Sequence, residues 1–340
     1  MVMTPGESAE YASTMSSVQP AAGDPRHSPF RLAHLSDPHL TSLHRVHWRE
    51  LLNKRLLGYA SWRLRRRAVH RPEMLNTLQR ALLEFRPDHI AVTGDLTHLG
   101  TPAECMEARE WLEQLGRPEQ VTVIPGNHDQ YAPAQWSETL ALWLPYMQGD
   151  EATRPEHGHF PFPLLRKRGC VALIGLSTAR PTAPFLATGR VGLAQLEHLD
   201  RLLERTAAEG LFRVVLLHHS PVATGVSRRR RLDDTARLVS VLKRRGAELV
   251  LHGHGHRPAT NTLQTDGTAI PIFGVPSASS SDPSPEKRAG YNIYDIAASN
   301  TGWTLRVLEQ RWDPGQARFE RHSQREWSLP LSPRSAHGVA

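Results

Sequence analysis

The sequence predicts an α/β layered domain, and two observations support this prediction. Short apolar runs alternate with segments in which apolar residues recur at the 3.6-residue period of a helix. This alternation is typical of domains that stack helices on sheets. The chain has 340 residues, of which 39% are hydrophobic, so it has enough apolar material to bury a large core.

Nine segments are predicted as strands, and three show helical periodicity. The strand segments are, in chain order, 30–36, 89–93, 121–124, 170–176, 212–217, 248–251, 271–275, 291–296 and 303–310. The first helical segment has Met74, Leu75, Leu78, Leu82 and Phe85 on one face, the second has Leu193, Leu196, Leu199 and Leu203, and the third spans about 233–245.

The flanks and the cysteine content limit the domain organisation. Residues 1–29 are rich in Ser, Ala, Pro and Gly and are predicted to be a disordered tail. Residues 30–312 are predicted to form one domain. Residues 313–340 are predicted to be a polar extension that wraps around this domain or trails from it. Two cysteines, Cys105 and Cys170, cannot form a disulfide framework, which suits a reducing compartment such as the cytosol.

Polar side chains follow five of the predicted strands, where each strand ends. The strands and their motifs are 30–36 with Asp37-Pro-His39, 89–93 with Gly94-Asp95, 121–124 with Pro-Gly-Asn127-His128-Asp129, 212–217 with His218-His219, and 248–251 with His252-Gly-His254-Gly-His256. Functional groups of open α/β sheets collect beyond the carboxyl ends of strands. Each motif alone is an ordinary turn or cap, but five such motifs together predict a metal site.

These motifs resemble the calcineurin-like metallophosphoesterase superfamily over about residues 31–256. The details Gly94-Asp95-Leu-Thr and His218-His219-Ser-Pro are most similar to its bacterial cyclic-nucleotide phosphodiesterase branch. The resemblance implies a four-layer αββα sandwich, with two β-sheets packed face to face and helices outside. It also implies two divalent metal ions at one edge of that sandwich.

The resemblance further implies a role for each motif residue. Asp95 would bridge the two ions, Asp37, His39 and His256 would hold one ion, and Asn127, His218 and His254 would hold the other. His128 would act in catalysis, by stabilising the transition state or protonating the leaving group. Carboxylate, carboxamide and imidazole ligands suit Mn, Fe, Zn or Co rather than Ca.

A basic segment at 44–71 follows the first motif and is predicted to be an insertion. Trp48, Leu52, Leu56, Tyr59 and Trp62 recur at about one-turn spacing, and arginines and lysine flank them. Such a stripe fits an amphipathic helix on an anionic membrane. It equally fits a lid helix that packs its stripe on the sandwich, and the sequence leaves both interpretations open.

The substrate prediction follows from charge. The net charge is +7, which favours anionic partners. The basic run containing Arg228 and Arg229 follows a metal-bearing strand, so these two residues and His98 are candidate substrate contacts. The leading hypothesis is hydrolysis of a small phosphodiester, such as a cyclic nucleotide, by metal-activated hydroxide.

Three alternatives come from other classes of protein. The first is a hydrolase of a membrane lipid-linked phosphate or pyrophosphate, motivated by the basic segment at 44–71. A nuclease is less favoured because no nucleic-acid module is recognisable. A non-catalytic scaffold would have lost ligands, yet all seven ligand positions are retained. A cytoplasmic location is expected, with peripheral association at the inner membrane surface as an option, because no apolar run reaches about 18 residues.

Overall fold

The structure is a computed structural model of the chain. It describes residues 28–40, 43, 46, 48–51, 53–66, 69–151, 161–222, 225–265 and 267–330, except for the side chains of 65, 66 and 72. Most of the predicted N-terminal tail and the end of the predicted C-terminal extension lie outside these residues. In the described part of the chain, no helix has the length and apolar composition needed to cross a bilayer.

The described residues form two mixed sheets with helices on their outer faces. The strands are β1 (Phe30–Leu35), β2 (His89–Val92), β3 (Val121–Val123), β4 (Leu164–Arg168), β5 (Val171–Gly175), β6 (Phe212–Leu216), β7 (Leu249–His252), β8 (Ala259–Gln264), β9 (Ala269–Gly274), β10 (Gly290–Ser299), β11 (Gly302–Asp313) and β12 (Arg318–Pro330). The α-helices are α1 (Arg55–Ser61), α2 (Pro72–Glu84), α3 (Pro102–Leu115), α4 (Leu144–Met147), α5 (Leu193–Ala208) and α6 (Thr235–Arg245).

Sheet topology aligns the ends of the strands that carry the motifs. The first sheet has the order β12-β11-β10-β1-β2-β3, and the second has the order β4-β5-β6-β7-β9-β8. In the first sheet β1, β2 and β3 are mutually parallel, with Leu35 opposite Val92 and Val92 opposite Val123. In the second sheet β5, β6 and β7 are parallel. Parallel neighbours place their carboxyl ends at one edge of a sheet.

Three hydrophobic clusters separate four layers. The central cluster lies between the sheets and includes Leu32, Phe212 and Tyr294. A second cluster packs α2 and α3 on the outer face of the first sheet, and a third packs α5 and α6 on the outer face of the second. The order helix, sheet, sheet, helix confirms the predicted four-layer α/β sandwich.

Three strands are not predicted by the apolar pattern, and each lies at the edge of a sheet. These strands are β4, β8 and β12. The residues of β8 and β12 are mostly half-buried or exposed, so these two strands need less apolar sequence than central strands. The β4 strand is more buried, but three of its five residues are basic, which hides it from an apolar pattern. The β12 strand is the longest of the three, and most of its side chains are exposed or half-buried. It nevertheless pairs with β11 along the whole of that strand, Gly302–Asp313. Residues 318–330 of the predicted extension are therefore part of the first sheet.

The insertion at 44–71 is not one continuous helix in its described part. A 3₁₀ turn at Trp48–Leu51, helix α1 and a π turn at Trp62–Arg66 follow one another. Trp62 packs with Leu43 and Leu99 in a small cluster of its own. Arg55, which the sequence pattern placed on the basic flank, is buried and donates hydrogen bonds to the carbonyls of Leu99 and Gly100. One face of the insertion thus packs on the loop that follows β2.

Candidate metal centre

The loops after β1, β2, β3, β6 and β7 bring the predicted ligands together at one edge of the sandwich. The loops after β1, β2 and β3 carry Asp37, His39, Asp95 and Asn127, and those after β6 and β7 carry His218, His254 and His256. The two sheets therefore both contribute, and the site bridges them. Its deeper residues are buried, while His256 is partly exposed.

Unusual backbone conformations aim these side chains inward. Asp37, His39, Asp95, His254 and His256 all have positive φ, between 44° and 65°. For residues other than glycine this conformation costs free energy and persists only where the surroundings fix it. The clustering of five such residues in one place is typical of a functional site.

Two glycines make room for the aspartates. An ideal Cβ at Gly126 would lie 2.2 Å from the Oδ1 atom of Asp95. An ideal Cβ at Gly253 would lie 1.8 Å from the Oγ atom of Ser36 and 2.6 Å from the Oδ2 atom of Asp37. Both loops need glycine because the chain runs directly against a neighbouring polar side chain.

The ligand atoms form two sets that share Asp95. One set is Asp37, His39, Asp95 and His256, and the other is Asp95, His218 and His254; within each set the ligand atoms lie within 4.8 Å of one another. In the first set the His256 Nε2 atom is 3.0 Å from Asp37 Oδ1 and 3.4 Å from His39 Nε2.

The second set is completed by the carboxamide of Asn127. The His218 Nε2 atom lies 3.3 Å from Asp95 Oδ2 and 3.2 Å from the Oδ1 atom of Asn127. Asp95 also accepts the backbone N–H of His128 at 2.7 Å through Oδ1. A carboxylate shared by two donor sets in this way is the arrangement that lets one side chain contact two cations.

Backbone carbonyls fix the orientation of three imidazoles. The contacts join His39 Nδ1 to the Thr97 carbonyl at 3.0 Å, His218 Nδ1 to the Thr93 carbonyl at 2.7 Å, and His254 Nε2 to the Arg230 carbonyl at 2.8 Å. A carbonyl only accepts, so each of these nitrogens carries the proton. In His39 and His218 the opposite nitrogen, Nε2, contacts other ligands of the site, as metal-binding histidines require.

Burial sets the charge of these groups. Burial lowers the pKa of His39 and of His254 well below the ordinary value, so both are neutral with a lone pair to offer. Burial also acts to lower the pKa of His218, but the Asp95 carboxylate outweighs it and raises that pKa to about 9. The position between Asp95 and Asn127 thus favours positive charge, and the donor set fits a divalent cation.

Asp129 and Glu104 hold the loops that carry the ligands. Asp129 accepts the backbone N–H groups of Asp95, Thr97 and Gly126 at 2.8–2.9 Å. Glu104 accepts the backbone N–H of His98 at 2.7 Å and closes a capping box with Thr101 at the start of α3. Buried carboxylates that accept several N–H groups make these loops rigid.

A cavity of about 890 Å³ opens above the ligands and contains some of the predicted substrate contacts. His128 and His98 line it, and His128 Nδ1 donates to the His98 carbonyl at 2.6 Å, which turns its Nε2 atom away from that loop. Arg228 and Arg229 are exposed and do not line the cavity. Their neighbour Arg230 does, and it donates to the His254 carbonyl at 3.1 Å.

His70 is a further histidine at the site, and the sequence pattern did not single it out. Its ligand atom lies within 4.8 Å of those of His39 and His256, and its Nδ1 atom is 2.7 Å from the Ser279 hydroxyl. No motif surrounds His70, because it reaches the site through the insertion and a bridge to Ser280. Only its place at the end of the basic segment could have drawn attention to it.

Comparison with known proteins agrees with this geometry. The family model for calcineurin-like phosphoesterases matches residues 30–258, about two thirds of the chain. The chain belongs to this family. It is accordingly a metal-dependent phosphoester hydrolase, and the predicted resemblance is confirmed.

Similar proteins include enzymes named as phosphodiesterases. A probable cyclic nucleotide phosphodiesterase of Synechococcus sp. is 28% identical over 221 residues, covering 63% of this chain and 74% of the relative. A glycerophosphodiester phosphodiesterase of Enterobacter lignolyticus is 28% identical over 57% of this chain and 58% of the relative. A dimetal phosphatase from Danio rerio shares the fold with a TM-score of 0.58 at 11% identity, covering 90% of this chain and 100% of that structure.

Proposed function

We propose that this calcineurin-like phosphoesterase hydrolyses a phosphodiester at a dinuclear metal centre. The observation that supports the proposal is the pair of ligand sets sharing Asp95. One ion would be held by Asp37, His39, Asp95 and His256. The other would be held by Asp95, Asn127, His218 and His254.

Bound at these ligands, divalent cations would offset the charge of the phosphate and lower the pKa of a coordinated water. Manganese, iron and zinc suit the mixed nitrogen and oxygen donors, and thiolate is absent from both sets. The remaining tasks fall to side chains of this chain.

His128 is the residue that we assign to proton transfer or transition-state stabilisation. It lines the cavity, its backbone N–H contacts the bridging carboxylate Asp95, and its ring stacks on Tyr131 at 5.5 Å. The bond from Nδ1 to the His98 carbonyl fixes the orientation of the ring at the cavity wall. A positioned imidazole typically contributes a factor of about 10²–10⁴ to rate.

The cavity wall favours an anionic substrate. Lys54, Arg230, Arg257 and Lys287 line it. Among the described lining residues the one carboxylate is Asp95, which belongs to the metal ligands. Together with the diesterase names of the relatives, this supports a phosphodiester as the substrate class. A lipid-linked phosphate is the second candidate, favoured by exposed apolar side chains at the cavity mouth.

Hydrolysis of bis(p-nitrophenyl) phosphate by the full chain tests the proposed activity. Manganese-loaded protein should turn over this diester, and protein stripped with a chelator should lose turnover and regain it when manganese returns. The monoester p-nitrophenyl phosphate serves as the comparison substrate. Faster turnover of the monoester, or no diester turnover with metal demonstrably bound, would contradict the diesterase assignment.

A further inference from the structure

The cavity above the metal ligands is walled by two segments that are distant in sequence. One is the insertion, through α1 and the π turn that follows it, and the other is the loop at 184–187. At about 890 Å³ the cavity lies near the upper end of the range of small-molecule sites, about 300–1,000 Å³. It therefore has room for more than the phosphate and its immediate substituents.

Both segments expose large apolar side chains at the mouth of this cavity. Leu64 is 81% exposed and Phe185 is 79% exposed, and Leu57 and Leu186 lie beside the same opening with substantial exposure. We call these four residues the apolar rim. Single exposed leucines are common, but a group around one opening marks an interaction site.

The two halves of the apolar rim are tied into one surface. The Lys54 ammonium donates to the Thr182 hydroxyl at 2.9 Å and to the Leu186 carbonyl at 3.5 Å, and it lies 4.3 Å from the centre of the Tyr131 ring. Lys54 precedes α1, whereas Leu186 belongs to the second segment and Thr182 lies two residues before that segment. The cation thus joins the segments on either side of the opening.

The insertion is anchored by buried contacts, so the exposure of the rim does not come from loose attachment. Trp62 is buried in the cluster with Leu43 and Leu99, and Arg55 bonds to two carbonyls of the loop after β2. Gly58 lies so close to this loop that an ideal Cβ would be 2.5 Å from the Leu99 side chain. Leu57 and Leu64 stay exposed beside these anchored residues.

The charge around the apolar rim indicates which partner would cover it. Four cations, Lys54, Arg230, Arg257 and Lys287, line the same cavity, and the net charge of the chain is +7. Apolar side chains beside cations fit the boundary between acyl chains and anionic headgroups. A neutral or basic protein surface would not complement these charges.

We propose that the apolar rim docks the protein on an anionic lipid bilayer, and that the cavity takes an amphiphilic phosphoester from that surface. The phosphate would lie over the metal ligands and the acyl portion along Leu57, Leu64, Phe185 and Leu186. This inference rests on the proposed phosphoesterase activity for its substrate, but the docking of the rim is independent of catalysis.

Vesicle sedimentation with the full chain tests the docking. The probes are phosphatidylcholine vesicles with about one third phosphatidylglycerol, compared with pure phosphatidylcholine. The wild type should sediment with the anionic vesicles, and Leu64→Ser combined with Phe185→Ser should reduce partitioning by about tenfold or more. No sedimentation of the wild type, or equal partitioning of the double variant, would overturn the docking.

A matched control separates the rim from general surface hydrophobicity. Leu83 on α2 is 46% exposed and Met106 on α3 is 56% exposed, and neither lines the cavity. The double variant Leu83→Ser with Met106→Ser should sediment like the wild type. This control variant should also hydrolyse soluble bis(p-nitrophenyl) phosphate at the wild-type rate, because neither residue lines the cavity.

Comparison of two diesters tests the substrate class. Phosphatidylglycerol in vesicles should be cleaved with a higher kcat/KM than its soluble headgroup diester glycerophosphoglycerol, and the rim variant should lose this preference whereas the control variant keeps it. Equal kcat/KM for the two diesters would overturn the amphiphilic substrate. If the protein bound vesicles but hydrolysed none of the diesters, the proposed function would be contradicted, whereas the docking on lipid would still hold.

Discussion

At the scale of single residues, the centre depends on neighbours that hold each ligand in place. His39, His218 and His254 each donate one ring N–H to a backbone carbonyl, which holds each imidazole in one orientation. Asp95 lies in both ligand sets, where its two oxygens contact His218 and the His128 backbone. Loss of such a shared group should affect both proposed ion sites together.

Asp95→Asn is the first substitution to make. The amide removes the negative charge from the shared position, so we expect the protein to bind fewer manganese ions at a given concentration. Removing even an indirect partner of a ligand costs about 10–100-fold in metal affinity or activity, so the loss of diester turnover should be at least about 10²-fold. The bridging role would be ruled out if the Asp95→Asn protein bound two ions and hydrolysed the diester at the wild-type rate, with both measured on the same sample.

Gly126→Ala tests whether the loop after β3 must pass directly against that carboxylate. The new Cβ would lie 2.2 Å from Asp95 Oδ1, so either the loop or the carboxylate must move. We expect weaker manganese binding, measured by calorimetry, and slower turnover. Gly255→Ala is the matched control in another ligand loop, because an ideal Cβ there would lie 3.9 Å from its nearest neighbour, the Gly253 carbonyl oxygen. This variant should bind manganese nearly as the wild type does.

The sequence was sufficient to predict which residues meet at the centre, but not all that surrounds them. Asp37, Asp95 and His218 could be predicted because each directly follows an apolar strand. His70 and Arg230 could not, since their positions depend on how the insertion and the loop after β6 fold back over the site. Arg228 and Arg229 remain predictions as substrate contacts, and they lie outside the cavity wall.

At the scale of elements, one buried arginine helps to fasten the insertion to the sandwich. The Arg55 guanidinium bonds to the carbonyls of Leu99 and Gly100, in the loop between β2 and α3. Amphipathic periodicity predicted a helix here with arginines on its flanks. This periodicity could not show that Arg55 turns inward. A basic residue occupies the same place in the sequence pattern whether its side chain is solvated or donates to buried carbonyls.

Arg55→Met should destabilise the protein. The substitution leaves two buried carbonyls without their donor, which costs about 1–3 kcal/mol in the free energy of unfolding. Arg63→Met is the control, since Arg63 follows on the same insertion and is exposed. Urea denaturation of both variants measures the effect, and equal stabilities would show that the contacts of Arg55 contribute nothing.

At the scale of the whole molecule, the centre connects the two sheets. Asp37, His39 and Asp95 leave the first sheet, whereas His218, His254 and His256 leave the second. The α/β layering was predictable because the central strands carry the apolar runs, and the four-layer order was implied by the family resemblance. The edge strands β4, β8 and β12 were not predictable from the sequence. They are defined by hydrogen-bonded pairing with a neighbouring strand and not by an apolar sequence pattern.

Metal binding should therefore stabilise the whole fold. A ligand that binds only the native state adds about 2.7 kcal/mol at one hundred times its Kd, so manganese should raise the Tm and a chelator should lower it. Differential scanning calorimetry at several manganese concentrations measures the effect, with Asp95→Asn as the comparison. A Tm that is independent of manganese would show that the ligand sets do not bind it in the folded protein.

The most direct test of the dinuclear centre is a manganese titration of chelator-stripped protein, with bound metal and turnover of bis(p-nitrophenyl) phosphate measured on the same samples. Two ions per chain at saturation, with turnover rising as the second site fills, is the predicted result. Full turnover with one ion per chain, or with none, would contradict the assignment of the two ligand sets.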